Sequence, residues 1–153
     1  MNVLKTLVLA AVILFFSACA TNRPLKCNLC VIDAMSARGI RLPDANANEL
    51  DSYLKKSPSW HMLPRQNNKP DHAAAYSAAE QGRTVLAAAP GRPNGHIVVV
   101  DGKRQPAWSG SWNAYLPYTY GSRRGEAPKT KLLSYQFSPG KAPYLNYFEY
   151  IKK

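Results

Sequence analysis

Apolar residues follow two different rhythms along this chain, and the change comes near residue 84. From Cys27 to Arg38 they recur at helical spacing: Cys30, Ala34 and Ala37 share one stripe, Val31 and Met35 the adjoining one, and Gly39 is placed as a C-cap. Ile40-Arg41-Leu42-Pro43 reads as an extended connection. Asp44 to Lys56 predicts a second helix, with Asn46-Ala47-Asn48-Glu49 as its capping box and Pro58 as its stop. Ser59 to Pro70 reads as a loop that sends Trp60 and Leu63 into the core. Asp71 caps a third, Ala-rich helix that runs to Glu80 and ends at Gly82. Beyond it the period is that of strands. Thr84–Ala89 and His96–Asp101 flank Pro90-Gly91-Arg92-Pro93-Asn94-Gly95, which predicts a hairpin. Gln105–Ser109 is a candidate third strand and Trp112–Pro128 a loop. Lys131–Phe137 and Tyr144–Ile151 read as closing strands around Ser138-Pro139-Gly140. Helices first and an antiparallel sheet afterwards is an α+β layout.

The first apolar run, Thr6 to Phe16, belongs to neither rhythm. It follows the positive start Met1–Lys5, is too short to span a bilayer and leads into Ser17-Ala18-Cys19-Ala20, so residues 1–19 read as an export signal. Ala18-Cys19-Ala20 suits an ordinary signal peptidase. Phe16-Ser17-Ala18-Cys19 resembles a lipobox, which would make Cys19 a lipidated first residue and fix the chain to a membrane; a periplasmic lipoprotein on the outer membrane is the expectation. Residues 20–153 then form one domain, a length that supports one core rather than two. The net charge of +11 favours an anionic partner. Export argues against nucleic acid and for wall or envelope.

Two stretches carry candidate chemistry. Cys27 opens the first helix, where uncapped N–H groups and the helix dipole favour a thiolate and are placed to receive an oxyanion. Its plain alternative is a structural thiol or half of a disulfide. Cys30 sits on the apolar stripe and reads as core. Together they spell C-x-x-C, but the mature chain has too few residues before it for the strand of a thioredoxin-like site, and a zinc site lacks a second ligand pair. A disulfide between them would block a nucleophile, so the active form keeps both reduced. His96 enters a buried strand behind Gly95, which lets another backbone or a substrate approach closely. Alternation places His96 with Val98 and Val100, and Asp101 on the opposite face, so Asp101 cannot orient the ring. His72 is expected at the surface and His61 in a structural or flanking role.

The order of Cys27 with its helix, Gly39-Ile40-Arg41-Leu42-Pro43, Ala45-Asn46-Ala47-Asn48, Ala78-Ala79-Glu80-Gln81-Gly82, Gly95-His96-Ile97-Val98-Val99-Val100 and Leu145-Asn146-Tyr147-Phe148-Glu149-Tyr150 resembles the papain-like cell-wall peptidases of the NlpC and CHAP type. Within them it is most similar to the first family of type VI secretion amidase effectors. The resemblance implies a papain-like fold with N-terminal helices on an antiparallel sheet. It also implies a cofactor-free hydrolase cutting an amide of peptidoglycan stem peptides, between D-glutamate and meso-diaminopimelate, with Cys27 as nucleophile and His96 as base. Its third position falls near Trp108-Ser109-Gly110-Ser111, which makes Ser109 the expected partner of the imidazole. Asn28-Leu29 depart from the Ser-Gly that follows the effectors' cysteine, and those effectors carry no export signal. An inhibitor protein is a further partner to consider. The alternative in another class is a catalytically silent envelope lipoprotein that binds wall peptides.

Overall fold

The computed structural model describes residues 26–123 and 125–151. The expected signal and Cys19 lie outside them. Among the described residues four α-helices and a six-stranded antiparallel sheet make an α+β fold.

Helix α1 (Cys27–Ser36) ends at Gly39, whose φ of 72° is the left-handed conformation that glycine adopts without strain. Helix α2 (Ala47–Lys56) starts three residues later than the apolar pattern suggests, because Asn46 is spent as its cap. The Asn46 side chain accepts from the Asn48 and Glu49 amides, and the Glu49 carboxylate accepts the Asn46 amide at 2.8 Å. Short strands β1 (Trp60–Met62), β2 (Arg65–Gln66) and β3 (Lys69–Pro70) follow, then helix α3 (His72–Glu80), capped by Asp71 as expected. Trp60 and Leu63 are buried, as the sequence predicts.

The predicted hairpin forms: β4 (Val85–Ala89) pairs with β5 (His96–Asp101), Ala89 opposite His96. After it the chain departs from the expected layout. Strand β6 (Ala107–Ser109) pairs only with β7 (Ala114–Leu116), in a ribbon apart from the main sheet. The expected loop from Trp112 to Pro128 contains β7 and also β8 (Tyr118–Gly121), which borders β5. Strand β9 (Lys129–Leu132) stops short and turns directly into helix α4 (Leu133–Gln136). It does not pair with the last strand, β10 (Asn146–Tyr150). The sheet order is β1-β10-β4-β5-β8-β9, so β9 is an edge and β10 lies between β1 and β4.

Both faces of the sheet are covered. On one, Val31 and Met35 of α1 and Leu50 and Leu54 of α2 pack on Leu86, Ala88, Ile97, Val99 and Phe148. On the other, Ala75 and Ala78 of α3, Leu116 of the ribbon and Leu133 and Phe137 around α4 pack on Val85, Ala87, Val98 and Tyr147. A strand buried on both faces has no solvent side, which is why β4 and β5 read as continuous apolar runs rather than as alternation.

Candidate active site

Cys27 is the first residue of α1, and the side chain of Lys26 before it caps none of the helix amides. Those donors are therefore open to the thiol. The Cys27 sulfur lies against the backbone N–H groups of Cys27 and Asn28 at the helix start and of Ile97 on β5. Burial pushes the Cys27 thiol up from its ordinary pKa of 9.0, and the three amides pull in the other direction without cancelling the rise. Asn28 secures the helix start by donating to the Ala45 carbonyl at 2.9 Å.

His96 precedes Ile97. Its side chain leaves β5 on the α3–α4 face, while Cys27 lies against the amide of the next residue, Ile97, from the α1 side. The turn before His96 is held by α2. Asn48 accepts the Gly91 amide and donates to the Gly91 carbonyl, both at 2.9 Å. The close approach expected at Gly95 is made by this same side chain: a Cβ on Gly95 would fall 2.5 Å from Asn48 Oδ1. Asn46 and Asn48 thus divide the work, one capping the helix and the other fixing the turn that delivers His96.

The partner of the imidazole is Gln136. Its Oε1 lies 3.1 Å from His96 Nε2, and the Phe137 ring packs beside the imidazole at 5.0 Å between centroids. An amide oxygen only accepts, so Nε2 carries the proton and Nδ1 is left as the basic nitrogen. Burial lowers the His96 pKa below 6.5; the Gln136 bond raises it and the Arg123 guanidinium lowers it further. Arg123 is itself tethered to the Tyr135 carbonyl at 3.2 Å. The shifts on Cys27 and His96 both favour neutral groups, so the resting pair is thiol and imidazole rather than thiolate and imidazolium.

Ser109 does not take the expected third position. It is buried on β6, with its hydroxyl 3.2 Å from that of Ser111. The physical reason is topological: β6 is absent from the main sheet and packs through its ribbon towards α3 instead of running beside β5. Gln136 escapes a strand reading because Lys131–Phe137 looks β-rich. The signal for it is the spacing of Leu133, Gln136 and Phe137, which puts a polar residue on the buried side of a helical turn. Cys30 is buried as expected, and neither it nor Cys27 is in a disulfide.

Under the hydrolase reading proposed below, Gln136→Ala is expected to lower the plateau rate about tenfold to a hundredfold, by analogy with other partners that orient functional histidines. It removes the bond that favours the charged ring, so the acid limb of the pH–rate profile should move to lower pH. A limb that stays in place, or moves up, would contradict the assignment of Gln136.

His72, expected at the surface, is half-buried, stacked edge-on against Trp112 and Tyr147, with Nδ1 2.7 Å from the Tyr147 hydroxyl. Burial lowers its pKa from 6.5 to about 4, against a smaller upward pull from Asp71. The unfolded chain therefore binds a proton here before the folded one does. The resulting stability is full above pH 6.5 and is lost as pH falls towards 4, amounting to about 3 kcal/mol. Urea unfolding across this range should show that slope, and His72→Phe should flatten it. An equal slope in the variant would assign the loss to other groups. His61 is exposed on β1.

Among the described residues no group of three or more His, Cys, Asp or Glu side chains converges to hold a metal ion. Compared with known proteins, the chain matches no family model and no curated sequence.

Proposed function

We propose that this chain is a papain-like cysteine amidohydrolase that cuts peptidoglycan stem peptides. The observation that carries the reading is the placement of Cys27 at an uncapped helix start, among three backbone N–H groups of which one belongs to the residue after His96, together with the hold of Gln136 on the His96 ring. In the proposed reaction Nδ1 of His96 takes the thiol proton as the sulfur attacks the amide carbon. The oxygen of the tetrahedral intermediate accepts from the amides at the start of α1. The imidazolium returns its proton to the leaving amine, and water then resolves the thioester.

The substrate class rests on the sequence resemblance, the export signal and the net charge of +11, which would hold the protein on an anionic wall polymer. The D-glutamyl–meso-diaminopimelate bond is the proposed point of cleavage. A periplasmic protein anchored at Cys19 to the outer membrane is the proposed location. A second reading, a silent lipoprotein that binds wall peptides, draws support from the neutral resting state of thiol and imidazole. The two are separated by incubating purified sacculi with the protein and identifying new peptide termini by mass spectrometry. New termini at the proposed bond support the enzyme. Retention on sacculi without any new terminus would replace it with the binder.

A further inference from the structure

Helix α1 runs along β5 in the same direction as the strand. Cys27 at its start meets the Ile97 amide, and Arg38, just past its end, lies within electrostatic reach of Asp101 at the strand's far end. Ten helical residues cover about 15 Å, so the far ends stand well apart from the candidate active site. There, between the ends of α1 and α3, the surface opens into a cleft of about 920 Å³, a size typical of small-molecule sites. Small residues leave this space open: Ala34 and Ala37 on the α1 side, Ala79 and Gly82 at the end of α3. On the α3 side the wall is close-packed backbone, since a Cβ on Gly102 would collide with the Ala79 main chain.

The lining is of two kinds. Val99, Tyr120 and Tyr150 supply apolar and aromatic surface, and Arg38 and Asp101 supply opposite charges. Among the described residues Arg38 makes one hydrogen bond, to the Thr84 hydroxyl at 3.3 Å, and no ion pair joins it to Asp101. Asp101 accepts the Lys103 amide at 2.8 Å and stands 3.7 Å from Arg104 Nε. A carboxylate has about four lone-pair sites, so it retains room for a further donor. Partial desolvation lowers the Arg38 pKa, and the Asp101 charge acts in the other direction. The two groups thus sense each other across the cleft without closing it. Other charges in the lining are engaged or peripheral: Arg83 holds Glu149 at 2.6 Å, Glu80 accepts the Tyr76 hydroxyl at 2.9 Å, and Lys103 stands exposed at the rim.

We propose that this cleft binds a small zwitterion of the amino-acid class, its carboxylate on Arg38, its ammonium on Asp101 and its side chain against Val99, Tyr120 and Tyr150. The arginine fork matches a carboxylate through two parallel bonds, and an ammonium brings three donors to an aspartate. A simple anion on Arg38 is repelled by Asp101, and a simple cation on Asp101 is repelled by Arg38. A zwitterion satisfies both at once. The site is separate from Cys27 and His96 and does not rest on the hydrolase reading.

The test is isothermal titration calorimetry of the full chain with L- and D-phenylalanine, with phenylpropionate, which lacks the ammonium, and with phenethylamine, which lacks the carboxylate. At least one phenylalanine enantiomer is expected to bind, and each truncated probe to bind about tenfold more weakly or worse, the worth of a charge-assisted hydrogen bond. Arg38→Gln should bind phenylalanine and phenethylamine nearly alike, having lost its use for the carboxylate. Asp101→Asn, whose side-chain oxygen still accepts the Lys103 amide, should bind phenylalanine and phenylpropionate nearly alike. The truncated probes act on the wild type, so the result decides even where a variant does not fold. Absence of binding by both enantiomers at about 10 mM would overturn the proposal. So would equal binding of phenylalanine and either truncated probe by the wild type, which marks a site for a single charge. Loss of binding in Cys27→Ala would place the ligand at the other end of α1 and overturn it as well.

Discussion

Sacculi incubated with the Cys27→Ala protein are expected to release no more stem peptide than sacculi left in buffer. Removing the nucleophile from a covalent mechanism costs on the order of 10⁴–10⁶ in rate, because the remaining groups act through it. Here the dependence should be near the upper end. The open amides at the start of α1 are directed at the sulfur, and in the proposed reaction the imidazole acts only through the Cys27 thiol. The side chain is small and half-buried at a helix end, so alanine leaves the packing of Val31 and Met35 intact. Equal release by wild type and variant would end the case for Cys27 as nucleophile.

With His96→Ala, the sacculus assay should show a loss of about 10²–10⁴ at neutral pH, the usual contribution of a positioned base. Its dependence on pH is the sharper test. In the proposed mechanism deprotonation of the thiol is coupled to a neutral imidazole, and burial holds the His96 pKa below 6.5. Activity should therefore fall only below that value as pH is lowered, and should be level through neutrality. Without the ring, the rate follows the fraction of spontaneous thiolate. Burial raises the thiol above 9.0, so this fraction grows about tenfold per pH unit up to that range. The defect of His96→Ala should shrink steadily as pH rises. A constant defect from pH 6 to 9 would mean that His96 acts on something other than the thiol proton.

Local chemistry was what the sequence made legible. The caps at Asn46 and Asp71, the helix end at Gly39 and the hairpin before His96 are all specified by neighbours within a few residues, and all are found in the structure. Cys27 and His96 were legible for the same reason, one marking a helix start and the other a strand entry. Gln136 was not. Its local sequence, Leu-Leu-Ser-Tyr-Gln-Phe, has the residue types of a strand, and only the end of β9 at Leu132 lets the turn that follows bury Leu133 and Phe137 together. The Leu133 amide donates to the Pro117 carbonyl at 3.0 Å, a contact set by tertiary packing. Ser109 was expected from a family resemblance, which carries the order of the elements but not their pairing, and β6 pairs with β7 outside the main sheet.

The position of β10 has a consequence for how the protein comes into being. This strand is the last of the described strands in chain order, yet it occupies an interior place, with Trp60 opposite Tyr150 on one side and Val85 opposite Glu149 on the other. Tyr147 completes one core and Phe148 the other. A chain still growing from the ribosome has neither core complete until residues near 148 are free to insert. The contact between Cys27 and the β5 end is braced by those cores, so the thiol meets its full set of amide donors only after residues near 148 have been made.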